Sequence, residues 1–66
     1  MKVIKLPKHC QIYLESIPEK GMGYHIMDVF LRKGIMLMNR TILNNTYLIL
    51  EDNEKIETKD IFNIYK

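Results

Sequence analysis

The stretch from Tyr24 to Glu51 constrains this chain more than any other. It holds three apolar runs, Tyr24–Arg32, Ile35–Leu43 and Thr46–Glu51, cut by two polar breaks, Lys33-Gly34 and Asn44-Asn45. Apolar runs of strand length separated by two-residue breaks are the pattern of consecutive β-hairpins. Both breaks have turn chemistry. Glycine reaches the positive φ of a tight hairpin freely, and asparagine tolerates it better than most residues. The pattern predicts a mainly β, mostly antiparallel domain. Its expected strands are 24–32, 35–43, 46–51, 55–57 and 61–65.

Strict alternation gives each strand two faces. In the first run Met27, Val29 and Leu31 share one face and Ile26 and Phe30 the other, which only Asp28 interrupts. In the second run Ile35 and Leu37 share a face, and Met36, Met38 and Ile42 share the opposite one. A lone antiparallel sheet has one apolar and one polar face. Two apolar faces need two covers. One is the domain interior, with Met27, Val29, Leu31, Ile35, Leu37, Leu48, Leu50, Ile61 and Ile64 as its expected core. The other must be the N-terminal segment or a second subunit. Ile26, Phe30, Met36 and Met38 are therefore the candidate oligomer interface.

The N-terminal third is less legible. Met1 to Leu6 alternates loosely and fits a short edge strand or a frayed end. Pro7 suits the start of a helix, where its missing N–H is no loss. Cys10, Tyr13, Leu14 and Ile17 fall on one helical face, which Pro18 would end. Cys10, Ile12 and Leu14 also alternate with Gln11 and Glu15, as a strand paired with the Tyr24 run would. The pattern allows either, and the helix is the expectation carried forward. Pro18 to Gly23 is the clearest loop. Its glycines lead into a strand and not a helix N-terminus, so a phosphate cradle is not implied.

The chain of 66 residues allows a single domain, 1–66. A domain this short buries only ~60% of its unfolded surface, so oligomerisation is a natural source of added stability. Cys10 is the one cysteine, which excludes an intrachain disulfide. Small secreted domains are usually disulfide-dense, so the expected compartment is a reducing one, the cytoplasm, with the chain complete as it stands. No apolar run is long enough to span a bilayer, and no secretory leader opens the chain. The net charge of +2 does not by itself imply a nucleic-acid partner. The first two thirds are basic and the end is acidic, so copies stacked basic end to acidic end are conceivable.

Catalytic constellations are absent from the pattern. His9, Cys10 and His25 lack the spacing of a zinc site. Met22, Met27, Met36 and Met38 suit a soft metal in principle, but methionine is more often a core filler or an adaptable interface residue. Ser16 has no strained nucleophile elbow around it. Asp28, Glu51 and Asp60 read as solvated edge carboxylates. Two matches to the glycosylation pattern, at Asn39 and Asn44, are chance matches without a secretory signal. The expectations are no enzyme, no cofactor and no metal. Tyr24, Phe30, Tyr47, Phe62 and Tyr65, with Arg32, Lys33 and Arg40, are the ingredients of a single-stranded nucleic-acid surface. They are equally the aromatics that sheets favour.

Residues 28–65 resemble the Sm-like (Hfq-type) small β-barrel family. The matching run is Val29-Phe30-Leu31, the turn glycine Gly34, then Ile35 and Leu37, with Tyr47-Leu48-Ile49-Leu50 following. Lys59-Asp60-Ile61-Phe62-Asn63-Ile64 stands where the family's second motif falls. The resemblance implies an open five-stranded, strongly bent antiparallel barrel, Sm-like or SH3-like, with a short N-terminal helix and assembly into rings or dimers. It implies Lys59 as an RNA contact, to which Arg32, Lys33 and Arg40, read from the residues alone, would add. The chain departs from the family at three places. Asp60 replaces a histidine, and its charge beside Lys59 should repel phosphate. Asn39 or Arg40 stands for the glycine of the bent strand, and Asn44 or Asn45 for an aspartate. The functional expectation is a non-catalytic module acting through self-association or a protein partner. Weak single-stranded RNA binding is the alternative.

Overall fold

Both hairpins form at the polar breaks. The computed structural model describes residues 1–66. It contains β1 (Lys2–Lys5), α1 (Lys8–Glu15), β2 (Tyr24–Leu31), β3 (Met36–Leu43), β4 (Tyr47–Leu50), a 3-10 turn (Thr58–Asp60) and β5 (Ile61–Tyr65). In the first hairpin Gly34 has φ +94° and its N–H donates to Leu31 O at 2.9 Å. In the second, Asn44 and Asn45 have φ +52° and +58°, and Thr46 N–H donates to Leu43 O. The five strands form one antiparallel sheet in the order β1-β4-β3-β2-β5, curled into a half-barrel.

The open side lies between β1 and β5. Side chains span it: Thr58 Oγ1 donates to Lys5 O at 2.6 Å, Lys2 Nζ donates to Glu54 O, and His9 Nε2 donates to Phe62 O at 2.9 Å. Helix α1 contributes Cys10 and Leu14, both fully buried, while Ile12 between them is 57% exposed. That pattern is helical, since alternation would have buried Ile12 as well. The core joins Leu6, Cys10 and Leu14 to Met27, Val29, Leu31, Ile42, Leu48, Leu50, Ile61 and Ile64. Eleven such side chains are few, so each carries a large share of the stability.

Three expectations are corrected. The fifth strand is β1 and not 55–57, which is irregular and leads into the 3-10 turn. Ile35 is 47% exposed, because it sits at the end of the hairpin turn before the ladder begins, and Leu37 is only partly buried. Ile42 faces inward, not outward with Met36 and Met38. The cause is a bulge: Met27 opposes Arg40 but Val29 opposes Leu37, so β3 carries one extra residue. Asn39 takes it up with φ +55°, and its N–H donates to Asp28 Oδ1 at 2.9 Å. A bulge reverses facing along the strand beyond it. Leu37 and Ile42 thus both turn toward the core although five residues apart.

Candidate interaction surface

Strand β2 alternates without fault. His25, Met27, Val29 and Leu31 point inward, and Tyr24, Ile26, Asp28 and Phe30 point outward. Phe30 stands between Met36 on β3 and Asn63 on β5. A second bulge lies on β5, where Phe30 opposes Asn63 but Leu31 opposes Ile61. Phe62 is the extra residue, and the bulge brings its ring against Phe30, centroids 6.0 Å apart and nearly perpendicular at 81°. Edge-to-face packing of this kind suits the ring quadrupoles. Phe62 is still 48% exposed, beside Met36 at 40% and Met38 at 59%. Tyr65, opposite Asp28, extends the row.

All four candidate interface residues, Ile26, Phe30, Met36 and Met38, lie on this outer face or its margin. The N-terminal segment does not line the surface at Phe30, Met36 or Met38, but Ile26 borders a groove that Ile17, Pro18, Glu19 and Lys20 share. Leu6 and helix α1 lie on the inner side, with Leu6, Cys10 and Leu14 in the interior. Phe62 and Tyr65 belong to the same patch, yet their place in it depended on a β5 bulge that no sequence period announces.

The candidate cations separate into two groups. Arg32, Lys33 and Lys59 are exposed around the β2–β3 turn. Arg32 Nε donates to Lys59 O at 3.0 Å, and its guanidinium carbon lies 5.6 Å from the Phe62 ring centroid, within cation–π range. Arg40 is elsewhere engaged. It makes a two-pronged ion pair with Glu54, at 2.7 and 2.5 Å, and both side chains are more than four-fifths buried. The hydrogen bonds to Arg40 hold the Glu54 carboxyl below its usual range, and the same bonds raise Arg40. Glu54 also accepts Glu51 N–H at 2.8 Å, so one carboxylate fixes the turn after β4.

Asp60 is not simply a repelling charge beside Lys59. Its Oδ2 accepts Glu57 N–H at 2.9 Å in a capping box that opens the 3-10 turn. The acid that approaches Lys59 is Glu57, at 3.7 Å with both groups exposed, a pairing of little energetic weight.

The other chemically capable side chains are dispersed. His25, 2% exposed, bonds through Nε2 to Asn45 Oδ1 at 2.8 Å and ties β2 to the second hairpin turn. His9 bonds to β5 as above. The Cys10 thiol is buried, and burial pushes its pKa up, so it is a weak nucleophile. Ser16 Oγ donates to Tyr13 O at the end of α1. No three His, Cys, Asp or Glu side chains converge in a group able to hold a metal. No helix is long and apolar enough to cross a membrane. No family model, curated protein or solved structure matches the chain.

Proposed function

We propose that this chain is a non-catalytic interaction module acting through self-association or a protein partner. One observation carries the reading: Phe30, Met36, Met38 and Phe62 form an apolar row on the outer face, and Leu6 and helix α1 lie on the inner side of the sheet. Contiguous apolar surface of this kind marks contact sites in small proteins. Methionine and phenylalanine are enriched at such contacts, since they give area that adapts to its partner. The lone buried thiol supports a reducing, cytoplasmic setting. The test is the Met36→Ser, Met38→Ser double variant. Both side chains are exposed, so the variant should fold as the wild type does while losing assembly or partner capture. A variant that assembles and captures as the wild type does would remove this face from the reading.

A second reading, weak single-stranded RNA binding by an Sm-like barrel, has its own support. Arg32 lies over Phe62, with Lys33 next to it in the chain and the Lys59 carbonyl accepting from its Nε. Asn39 adopts positive φ at the bend where the resembled family has glycine. With Arg40 engaged by Glu54, these cations make one cluster and not a track for successive phosphates. Binding should therefore be weak, steeply salt-dependent and poor in base preference. Titration of short uridine-rich and adenine-rich RNAs tests it. Asp60→Asn is the informative variant, because it removes charge and keeps an acceptor for Glu57 N–H. Tight binding at physiological salt with a clear base preference would put this reading first.

A further inference from the structure

Strand β5 stops short along β2. Its register ends where Tyr65 opposes Asp28, so His25, Ile26 and Met27 have β3 on one side and no strand on the other. The loop after α1 reaches this open edge, where Lys20 N–H donates to Tyr24 O at 3.0 Å. Between loop and edge lies an open cavity of about 380 Å³, a size that suits a small molecule.

Three kinds of group line it. Ile17, Pro18, Ile26 and Met27 give apolar wall. Lys20 and Lys66 are exposed cations engaged in no ion pair. His25 is the buried polar group, at 2% exposure. Its Nε2 is committed to Asn45 Oδ1, an atom that only accepts, so Nε2 carries a proton. Its Nδ1 has no partner in the chain. No side-chain nitrogen is both sealed from solvent and unpartnered, so Nδ1 opens on the cavity that the ring lines. The one acid in the lining, Glu19, is turned to its own loop, where it accepts Gly23 N–H at 3.1 Å.

A ligand for this cavity must satisfy two cations and a lone imidazole nitrogen together. A phosphate monoester does so. It has three acceptor oxygens and a second pKa of about 6, so near neutrality it still shares in one proton. That proton can sit on a phosphate oxygen and be donated to Nδ1, or sit on Nδ1 and be donated back. Both arrangements keep the same hydrogen bond and the same total charge. A sulfate ester or a carboxylate brings no such proton. We propose that the cavity binds a small phosphate monoester, its phosphate among Lys20, Lys66 and His25, its apolar or aromatic body against Ile17, Pro18, Ile26 and Met27. This cavity shares only Ile26 with the outer face and does not rest on the interaction reading. Both lysines are solvated, so the affinity is modest, with a Kd of about 1 mM.

An NMR titration of the whole chain with phenyl phosphate at about pH 6 tests it, with phenyl sulfate and inorganic phosphate as parallel arms. Phenyl phosphate should shift the amides of residues 17–20 and 25–27 saturably and should move the His25 Nδ1 resonance. Phenyl sulfate has the same shape and no proton to share, and should bind about fivefold more weakly or less. Inorganic phosphate, without a body for the apolar wall, should also bind more weakly. The double variant Lys20→Gln, Lys66→Gln changes two exposed positions, leaves the His25–Asn45 bond in place, and should weaken phenyl phosphate about tenfold. No saturable shift at these residues well above the expected Kd, either control bound as tightly as phenyl phosphate, or undiminished binding in the double variant each overturns the inference. A response confined to Arg32, Lys33 and Lys59 overturns it too, and would favour the RNA reading.

Discussion

Asn39 decides more of this fold than any core residue. Simple alternation through β3 places Leu37 and Ile42 on opposite sides of the sheet, and the positive φ of Asn39 puts both inside. The signal for it was present but divided. Asp28 interrupts an otherwise apolar face of β2, and the reason is that its carboxylate holds the bulged Asn39 N–H. Read separately, one residue looked like a solvated edge acid and the other like a strand position. Asn39→Gly should leave stability within a few tenths of a kcal/mol, since glycine takes this conformation freely. Asn39→Val should cost about 1–3 kcal/mol, because a β-branched residue resists it. Urea denaturation of both variants checks the pair. Equal loss in the two would mean that the Asn39 side chain, and not its backbone, is what matters.

At the scale of elements, the segment from Glu51 to Asp60 replaces the expected fourth hairpin. Its sequence has strand-like alternation at Lys55-Ile56-Glu57, but the chain has other demands on it. Glu54 must meet Arg40, and Thr58 must reach Lys5 to close the open side. Partners 14 and 53 positions away leave no local period, which is why Arg40 read as a free cation. The ion pair gives a pH dependence with a definite sign. Glu54 is held below its unfolded value, so its contribution is present in full above the ordinary carboxylate range and is lost as pH falls through the depressed folded value. Arg40 stays charged throughout. Thermal unfolding should therefore show an acid limb that Glu54→Gln flattens. Arg40→Met should lower stability near neutrality by about 1.5–3 kcal/mol, the range for hydrogen bonds to charged groups. An unchanged acid limb in Glu54→Gln would assign acid sensitivity to other carboxylates. The 3-10 turn gives a parallel case. Asp60→Ala should cost about 1 kcal/mol through its lost cap, and Asp60→Asn much less.

At the scale of the molecule, the hairpins, the sheet and most of the core of β2, β4 and β5 were legible because they follow period two and turn chemistry. The N-terminus was legible only in part. The helix expected from the shared face of Cys10, Tyr13, Leu14 and Ile17 forms over Lys8–Glu15, while a four-residue strand among lysines carries too few periods to declare itself. Yet Leu6, Cys10 and Leu14 complete the interior. Removing residues 1–6 should unfold the domain, as judged by circular dichroism, because β4 loses its neighbour and Leu6 its site. The same placement leaves Met36, Met38 and Phe62 exposed on the outer face of β3 and β5. The candidate surface was legible for Ile26, Phe30, Met36 and Met38, which alternation alone sets outward. It was not legible for Phe62, which only the β5 bulge turns onto Phe30. Whether that face docks another protein is the central claim. The direct measurement is capture from the protein's own cells on immobilised wild type and on Met36→Ser, Met38→Ser, each with and without RNase. The account predicts defined proteins that survive RNase on the wild type and disappear from the variant. Bound material that RNase removes, or proteins held equally by both, would contradict it.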